Sequence, residues 1–371
     1  MAISNSTINF QDLLVNMLGK LSEREQEILK KRYHLTSDLE KKSTLKQIGD
    51  FYNITRERVR QIEKEAIRKL LELKQANEFS DQLNALDSEL KTYLEQNGGL
   101  AREDHLLENH AKANHEFGFL HTNAYLFALE NLIDSAKVAD SHDDLYRAWH
   151  LKDANIDSIA DYLKQVEAHV GENGKVFSKE DILSAAEDKL TAELRAAIDK
   201  YLEKHSGLEL ATILNSYLNA STKIEKNILG NWGLATWDNV RPKKLGDKIQ
   251  LVFEKTNEPL HFREIADQIN GANFDHKNVC AATVHNELIA NGNYVLIGRG
   301  IYALKDWGYM AGTVADIIES ILTKSDKPMT KDELYNEVLK QRKVNKSTIY
   351  LTLINKDKFE KAAANTFTLK K

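Results

Sequence analysis

The sequence predicts a mainly α protein: a helix-turn-helix head followed by tandem winged-helix units with small β-wings. Three observations carry this. Only 3 prolines and 17 glycines punctuate 371 residues, and valine-rich alternating runs are scarce, so helices should dominate. The stretch TRERVRQIEKEAIRKL, Thr55 to Leu70, sets six Arg/Lys side chains beside an apolar stripe at helical spacing: Val59, Ile62, Ala66, Ile67 and Leu70. Finally, four later segments begin alike, and each leads into a short aromatic, strand-like piece.

In the head, LSEREQEILKKRYHL (residues 21–35) opens with Ser22 and has Glu25 three positions on, the capping-box spacing, with Ile28, Leu29 and Tyr33 on a helical face. After the polar loop SDLEKKS, a helix from about Leu45 breaks over Asn53 to Thr55, and a second helix starts at Thr55 or Arg56. Gly49 allows the two helices to cross closely, Ile48 and Ile54 fill the angle, and Val59 and Ile62 lock the second helix. That leaves Arg56, Arg58, Arg60 and Gln61 facing outward, side-chain types suited to a nucleic-acid groove.

The repeats read NGGLAREDHLL from 97, NGKVFSKEDILSAA from 173, NEPLHFREIADQI from 257 and DKPMTKDELYNEV from 326. Ala101, Ser178, His261 and Thr330 hold the N-cap place, and Ala101 is a poor cap. The strand-like pieces are 146–151, 231–237, 293–304 and 365–371. At about 100 to 200 residues per domain, or fewer for small modules, the length allows several units. The expected division is an N-terminal extension (1–17), the head (18–78), two acidic winged-helix-like units (79–152 and 153–242), a further unit (243–308) and a last one (309–371).

Charge follows this division. Residues 1–78 hold 15 Lys/Arg against 12 Asp/Glu (+3), residues 79–242 hold 16 against 28 (−12), and residues 243–371 hold 20 against 16 (+4). The basic ends are therefore the parts expected to approach phosphate.

The single cysteine, Cys280, excludes an internal disulfide and any Cys-based zinc or iron-sulfur site; it fits a reducing, cytoplasmic setting and reads as buried in a helix. The start lacks a signal-peptide pattern, and no run approaches the 18 or so apolar residues of a membrane span. No nucleotide loop, HExxH or nucleophile motif occurs. His105, His110, His115 and His121 lie at spacings that scatter them around a helix. Trp149, Trp232, Trp237 and Trp307 read as wing cores. Neither an enzyme nor a cofactor is expected.

Over Leu21 to Leu70 the chain resembles the fourth conserved region of the bacterial primary sigma factors, most specifically in TRERVRQIEKEAIRKL. The resemblance implies a domain that docks on the β flap of RNA polymerase and reads the −35 promoter element. Arg56, Glu57 and Gln61 would then reach base edges, while Arg24, Arg32 and the backbone at Leu45 would sit on phosphates. Acidic residues usually follow the position of Leu45 in that family; here Lys46 and Gln47 do. About twenty residues precede the head, too few for promoter-melting helices, so the expectation is a sigma-like adaptor. The alternative is a factor that occupies the flap and competes with sigma factors without reading DNA.

From Pro242 to Tyr309, PLHFREIADQI and the wing YVLIGRGIYALKDWG resemble the HARE-type winged helix-turn-helix module. Such modules occur in the RNA polymerase delta subunit and in chromatin and restriction proteins, which implies a polymerase or DNA partner. Arg299 at the wing tip is a candidate phosphate ligand. In the last unit, KQRKVNKSTIYLTL places Arg342, Lys343 and Lys346 at or just before a candidate recognition helix, with Ser347 on phosphate, Thr348 and Tyr350 towards bases and Ile349 in the core.

Overall fold

The structure, a computed structural model, describes residues 9–37, 41–76, 79–112, 119–275, 277–325, 327–354, 358–362 and 365–370. It is mainly α with small antiparallel sheets, and it divides into two compact units, Met1–Glu225 and Lys226–Lys371. His115 and the first eight residues lie outside the described residues.

The first unit opens with helices α1 (Phe10–Leu18), α2 (Glu23–Tyr33), α3 (Leu45–Tyr52) and α4 (Arg56–Gln75), followed by α5 (Ser80–Gln96). Strand β1 (Leu100–Arg102) leads into α6 (Glu103–Leu106) and a π-helical turn, Leu107–Ala111; then come α7 (Phe119–Asn131), β2 (Ala136–Ala139) and β3 (Ala148–Leu151). β3 lies between β1 and β2, antiparallel to both, with Ala101 opposite Trp149 and Val138 opposite Trp149.

The boundary expected at 78 is crossed by one core. Met17, Leu29, Ala66 and Leu70 are buried together with Leu83, Leu90, Phe127 and Trp149. The mechanism lies in α4: at 20 residues it is long enough for its first half to belong to the helix-turn-helix while its second half packs on α5. Residues 10–18, from the expected extension onwards, form a helix whose Leu13, Leu14, Met17 and Leu18 enter the same core.

Four helices complete this unit: α8 (Ile156–Asn173), α9 (Lys179–Asp188), α10 (Ala192–Lys204) and α11 (Leu210–Ala220). Ser216 of α11 donates its hydroxyl to the Leu100 carbonyl, and Tyr217 donates to that of Gly98 at 3.5 Å, so α11 is fastened to the start of β1. Arg147 gathers Glu103, Glu130 and Asp140, and Trp149 Nε1 donates to Glu103 at 3.1 Å. Strands β4 (Ile224–Lys226) and β5 (Trp232–Leu234) bracket the passage to the second unit.

The second unit uses one topology twice. Its first module runs α12 (Leu245–Thr256), β6 (Leu260–His261), α13 (Phe262–Ala272), α14 (Ala281–Ala290), β7 (Tyr294–Gly298) and β8 (Ile301–Leu304). The second runs α15 (Val314–Ser325), β9 (Met329–Thr330), α16 (Lys331–Gln341), α17 (Lys346–Leu353), β10 (Phe359–Lys361) and β11 (Thr366–Leu369). In each sheet the last strand sits in the middle, as β3 does in the first unit. Each module has its own core, around Phe253 and Ile265 in one and around Ile318 and Leu334 in the other.

The repeat caps explain the shared openings. Ser178 accepts from Asp181 N at 3.1 Å, and His261 and Thr330 form capping boxes with Glu264 and Glu333. Ala101 departs from this pattern: it is a strand residue, and the cap position falls to Arg102, which makes no side-chain cap. Cys280 also departs, lying exposed at the N-cap of α14, where its Sγ is 2.9 Å from Thr283 Oγ1. Trp149 and Trp232 are buried, and Trp307 meets Phe253 edge-on at 5.7 Å. No helix among the described residues is long and apolar enough to cross a membrane.

Candidate nucleic-acid interface

The helix-turn-helix is built from caps and one close crossing. Ser22 and Thr44 each form a capping box, with Glu25 and Gln47, which starts α2 and α3 at defined residues. α3 stops because Asn53 turns left-handed at φ 52°, a conformation Asn tolerates better than most residues. Ile54 N then donates to the Gly49 carbonyl at 2.9 Å, and a Cβ on Gly49 would lie 2.7 Å from Ile54 O. Only glycine fits this approach without displacement of the backbone. Thr55 caps α4 by accepting from Arg58 N at 3.1 Å. Inside the angle, Ile28, Ile48 and Val59 are buried, with Leu45, Tyr52, Ile54 and Ile62 packed around them.

This frame exposes the first two turns of α4. Arg56, Glu57, Arg58, Arg60 and Gln61 are all at the surface, and Arg56 has no hydrogen-bond or ion-pair partner among the described residues. The others hold one another. Arg60 binds Glu57 in a fork, Nη2 to Oε1 at 2.6 Å and Nε to Oε2 at 2.9 Å, while Arg58 Nη1 donates to Gln61 Oε1 at 3.1 Å. The hydrogen bond from Arg60 holds the Glu57 carboxyl below its ordinary range. Such exposed pairs contribute little to stability, so they can open for a groove.

The expected phosphate contacts lie on other elements of the same head. Leu45 is the first residue of α3, where backbone N–H groups lack intrahelical acceptors and suit an anion. Arg24 stacks on Tyr52, its guanidinium carbon 3.7 Å from the ring centroid. Arg32 is engaged with Glu63 at 3.3 Å and with the Ser43 carbonyl at 3.5 Å. Glu63 is a supporting residue that the motif reading missed, as was Lys69, which reaches the buried Glu25 at 2.6 Å across 44 residues of chain. No spacing signals either pair.

The residues named in the tail lie in the second unit. Arg299 is exposed between β7 and β8, where Gly300 turns at φ 74°. Lys343 and Lys346 are exposed, and Ile349 is buried. Arg342 is placed otherwise than the basic run suggested: it is 6% exposed, and its guanidinium donates to the carbonyls of Leu296, Gly312 and Met310. Desolvation takes it out of the set available to phosphate. The histidines are dispersed: His110 is buried with Nδ1 3.2 Å from the Tyr125 hydroxyl, while His121 Nε2 meets Asn9 Oδ1 at 3.1 Å.

A trihelical, capped, glycine-crossed head with a polar, arginine-rich second helix defines the class as helix-turn-helix. Comparison narrows this for one segment: residues 17–72 match the family model described as Sigma-70, region 4. The "RNA polymerase sigma factor SigA" of Microcystis aeruginosa is 51% identical over 57 residues, which is 15% of this chain and 13% of that protein. The "RNA polymerase sigma factor RpoD" of Helicobacter pylori (strain 26695) is 49% identical over 55 residues, 15% of this chain and 8% of that protein. The SigA of Clostridium acetobutylicum is 36% identical over 74 residues, 20% and 19% of the two chains. The chain thus spans less than a fifth of the length of each of these relatives.

Proposed function

We propose that this chain is a sigma-like, DNA-binding transcription regulator. Its head recognises −35-like promoter DNA and docks on the β flap of bacterial RNA polymerase, placing its action in the cytoplasm. The observation that carries the reading is the exposed Arg56–Gln61 face of α4, on a helix-turn-helix whose segment matches sigma-70 region 4. Arg suits guanine, Gln suits adenine and Glu can accept from cytosine, so this face has the chemistry of direct readout. Arg24, Arg32 and the start of α3 at Leu45 would hold phosphates.

The same reading takes residues 243–308 as a HARE-type winged helix-turn-helix and residues 309–371 as a winged helix. In both, a strand, two helices and a hairpin follow one another, and Arg299, Lys343 and Lys346 supply cations. The two small modules of residues 243–371, each a strand, two helices and a hairpin, support a role beside a complete sigma factor. The test is binding of the full chain to a −35-like duplex and to a scrambled one at equal salt, with core polymerase captured in parallel. Sequence preference lost in Arg56→Ala/Gln61→Ala supports the proposal. Polymerase binding with no preference between the duplexes would favour the competitor that only occupies the flap.

A further inference from the structure

The two modules of the second unit are joined by main chain as well as by side chains. Residues 342–343, between α16 and α17, lie along β7: Lys343 N donates to the Ile297 carbonyl at 2.8 Å, and Gly298 and Lys343 form a parallel bridge. Arg342 spans the joint, donating to Leu296 on β7 and to Met310 and Gly312 in the connecting segment. Gln341 Oε1 accepts from Met310 N at 3.0 Å, and Lys343 Nζ reaches the Pro259 carbonyl at 3.4 Å. Gly298 lies hard against this segment, since a Cβ there would stand 2.8 Å from Lys343 O.

A buried guanidinium is costly to desolvate, and here that cost is offset by three carbonyls drawn from two places in the chain, β7 and the connecting segment. Loss of that set would leave them unsatisfied, so the joint opposes independent motion of the modules. Its position decides what the surface looks like. Gly298 precedes the tip residue Arg299, and the Lys343 beside it precedes Lys346, the first residue of α17. Lys346 and Lys331 both lie over the Tyr335 ring, at 5.8 and 5.2 Å, and Lys331 also covers Tyr350 at 4.2 Å. Arg299, Lys343, Lys346 and Lys331 thus follow one another from the wing of one module to the helices of the next. None makes an ion pair with a described residue; contact with the Tyr335 side chain, foremost, raises the Lys331 ammonium above its ordinary value and keeps it charged.

We infer that the joint made by Arg342, Lys343 and Gly298 fuses the two modules into one reading head, whose cationic ridge, Arg299–Lys343–Lys346–Lys331, takes the phosphate backbone of a single duplex. The inference rests on the DNA-binding reading given above and adds that the tail binds as one body. Two modules acting through avidity would instead need freedom to engage separately.

The test uses the full chain in a Cys280→Ser background, with spin labels on Ile289→Cys and Leu351→Cys, both exposed, to report the distance between modules. Duplex affinity is measured on unlabelled protein across a salt series. The parent should give one narrow distance distribution, and Gly298→Val and Arg342→Met should each broaden it. Gly298→Val retains every cation, yet should weaken duplex binding several-fold, about as much as Arg299→Ala/Lys343→Ala/Lys346→Ala. That triple variant should lower the slope of log affinity against log salt by about 2 to 3. Arg342→Met guards against misfolding of the wing in Gly298→Val, because it changes no residue of the wing strands β7 and β8.

An unchanged narrow distribution in both joint variants would overturn the inference, as would broadening without loss of affinity. A triple variant that binds duplex like the parent would overturn it too, even while Arg56→Ala/Gln61→Ala still abolishes sequence preference; that combination leaves the head's proposed function standing.

Discussion

Glu57 and Arg60 stand one turn apart on α4 and close on each other through two hydrogen bonds, at 2.6 and 2.9 Å. In the free protein, the carboxylate and guanidinium proposed to face a groove therefore satisfy one another, while Arg56 remains open. Engagement with bases must exchange this pair for base edges.

The first prediction follows from that exchange. Arg56→Ala with Gln61→Ala should weaken binding to a −35-like duplex by about 1 to 3 kcal/mol per lost base contact, with the far-ultraviolet circular dichroism of the parent. Scrambled duplex should be bound nearly as before. Equal loss on both duplexes would assign these side chains to phosphates.

Gly49→Ala should destabilise the helix-turn-helix by about 1 to 3 kcal/mol, since its Cβ would press on Ile54 O at 2.7 Å. Denaturant unfolding measures this. A Gly271→Ala control, where a Cβ meets nothing within 4 Å, should lack that penalty.

Acid should loosen the head through Glu25. Burial pushes its carboxyl up, but hydrogen bonds from Lys69 and Ser22 prevail and hold it below the ordinary value. A depressed carboxylate stabilises the fold above its unfolded value of about 4.3, and that contribution is lost as pH falls through the folded value. Melting temperature measured from pH 6 down to 3 should therefore drop less steeply in Glu25→Gln, which should already melt lower at pH 6.

A fragment of residues 18–78 should be less stable than the same segment in the full chain. Ala66 and Leu70 pack with Leu83, Leu90 and Phe127, all of which such a fragment lacks. Extending it to residue 151 should restore protection of α4 amides in hydrogen exchange; equal protection in both fragments would contradict the shared core.

On the proposed reading of a regulator that works beside a complete sigma factor, the chain with core polymerase alone should produce no open complex. Permanganate reactivity of promoter thymines is the readout. It should rise only when a complete sigma factor is supplied.

Much of the head was legible because its determinants are local. Ser22 with Glu25, Gly49 before Ile54, and the Val59–Ile62 stripe lie within a few residues of what they organise. The hairpin 294–304 showed for the same reason, as an apolar run broken only by the Gly298–Arg299–Gly300 tip. Arg342 did not, since a basic run looks solvated until Leu296, 46 residues earlier, brings its carbonyl alongside. Cys280 was misplaced because VCAATV is apolar enough for a helix interior, whereas the helix begins one residue later. The strands β1, β6 and β9 are two or three residues long, too short for any alternation to register.

The core shared across residue 78 also has a consequence in time. On the ribosome the recognition surface of α4 is complete at Gln75, but Ala66 and Leu70 wait for α5, α7 and Trp149. At about 5 to 20 residues per second those partners follow some seconds later. A nascent chain therefore carries the proposed DNA-reading helix before it has the floor that helix rests on. Capture of the head by nucleic acid or polymerase during synthesis is disfavoured until roughly the first 150 residues have emerged.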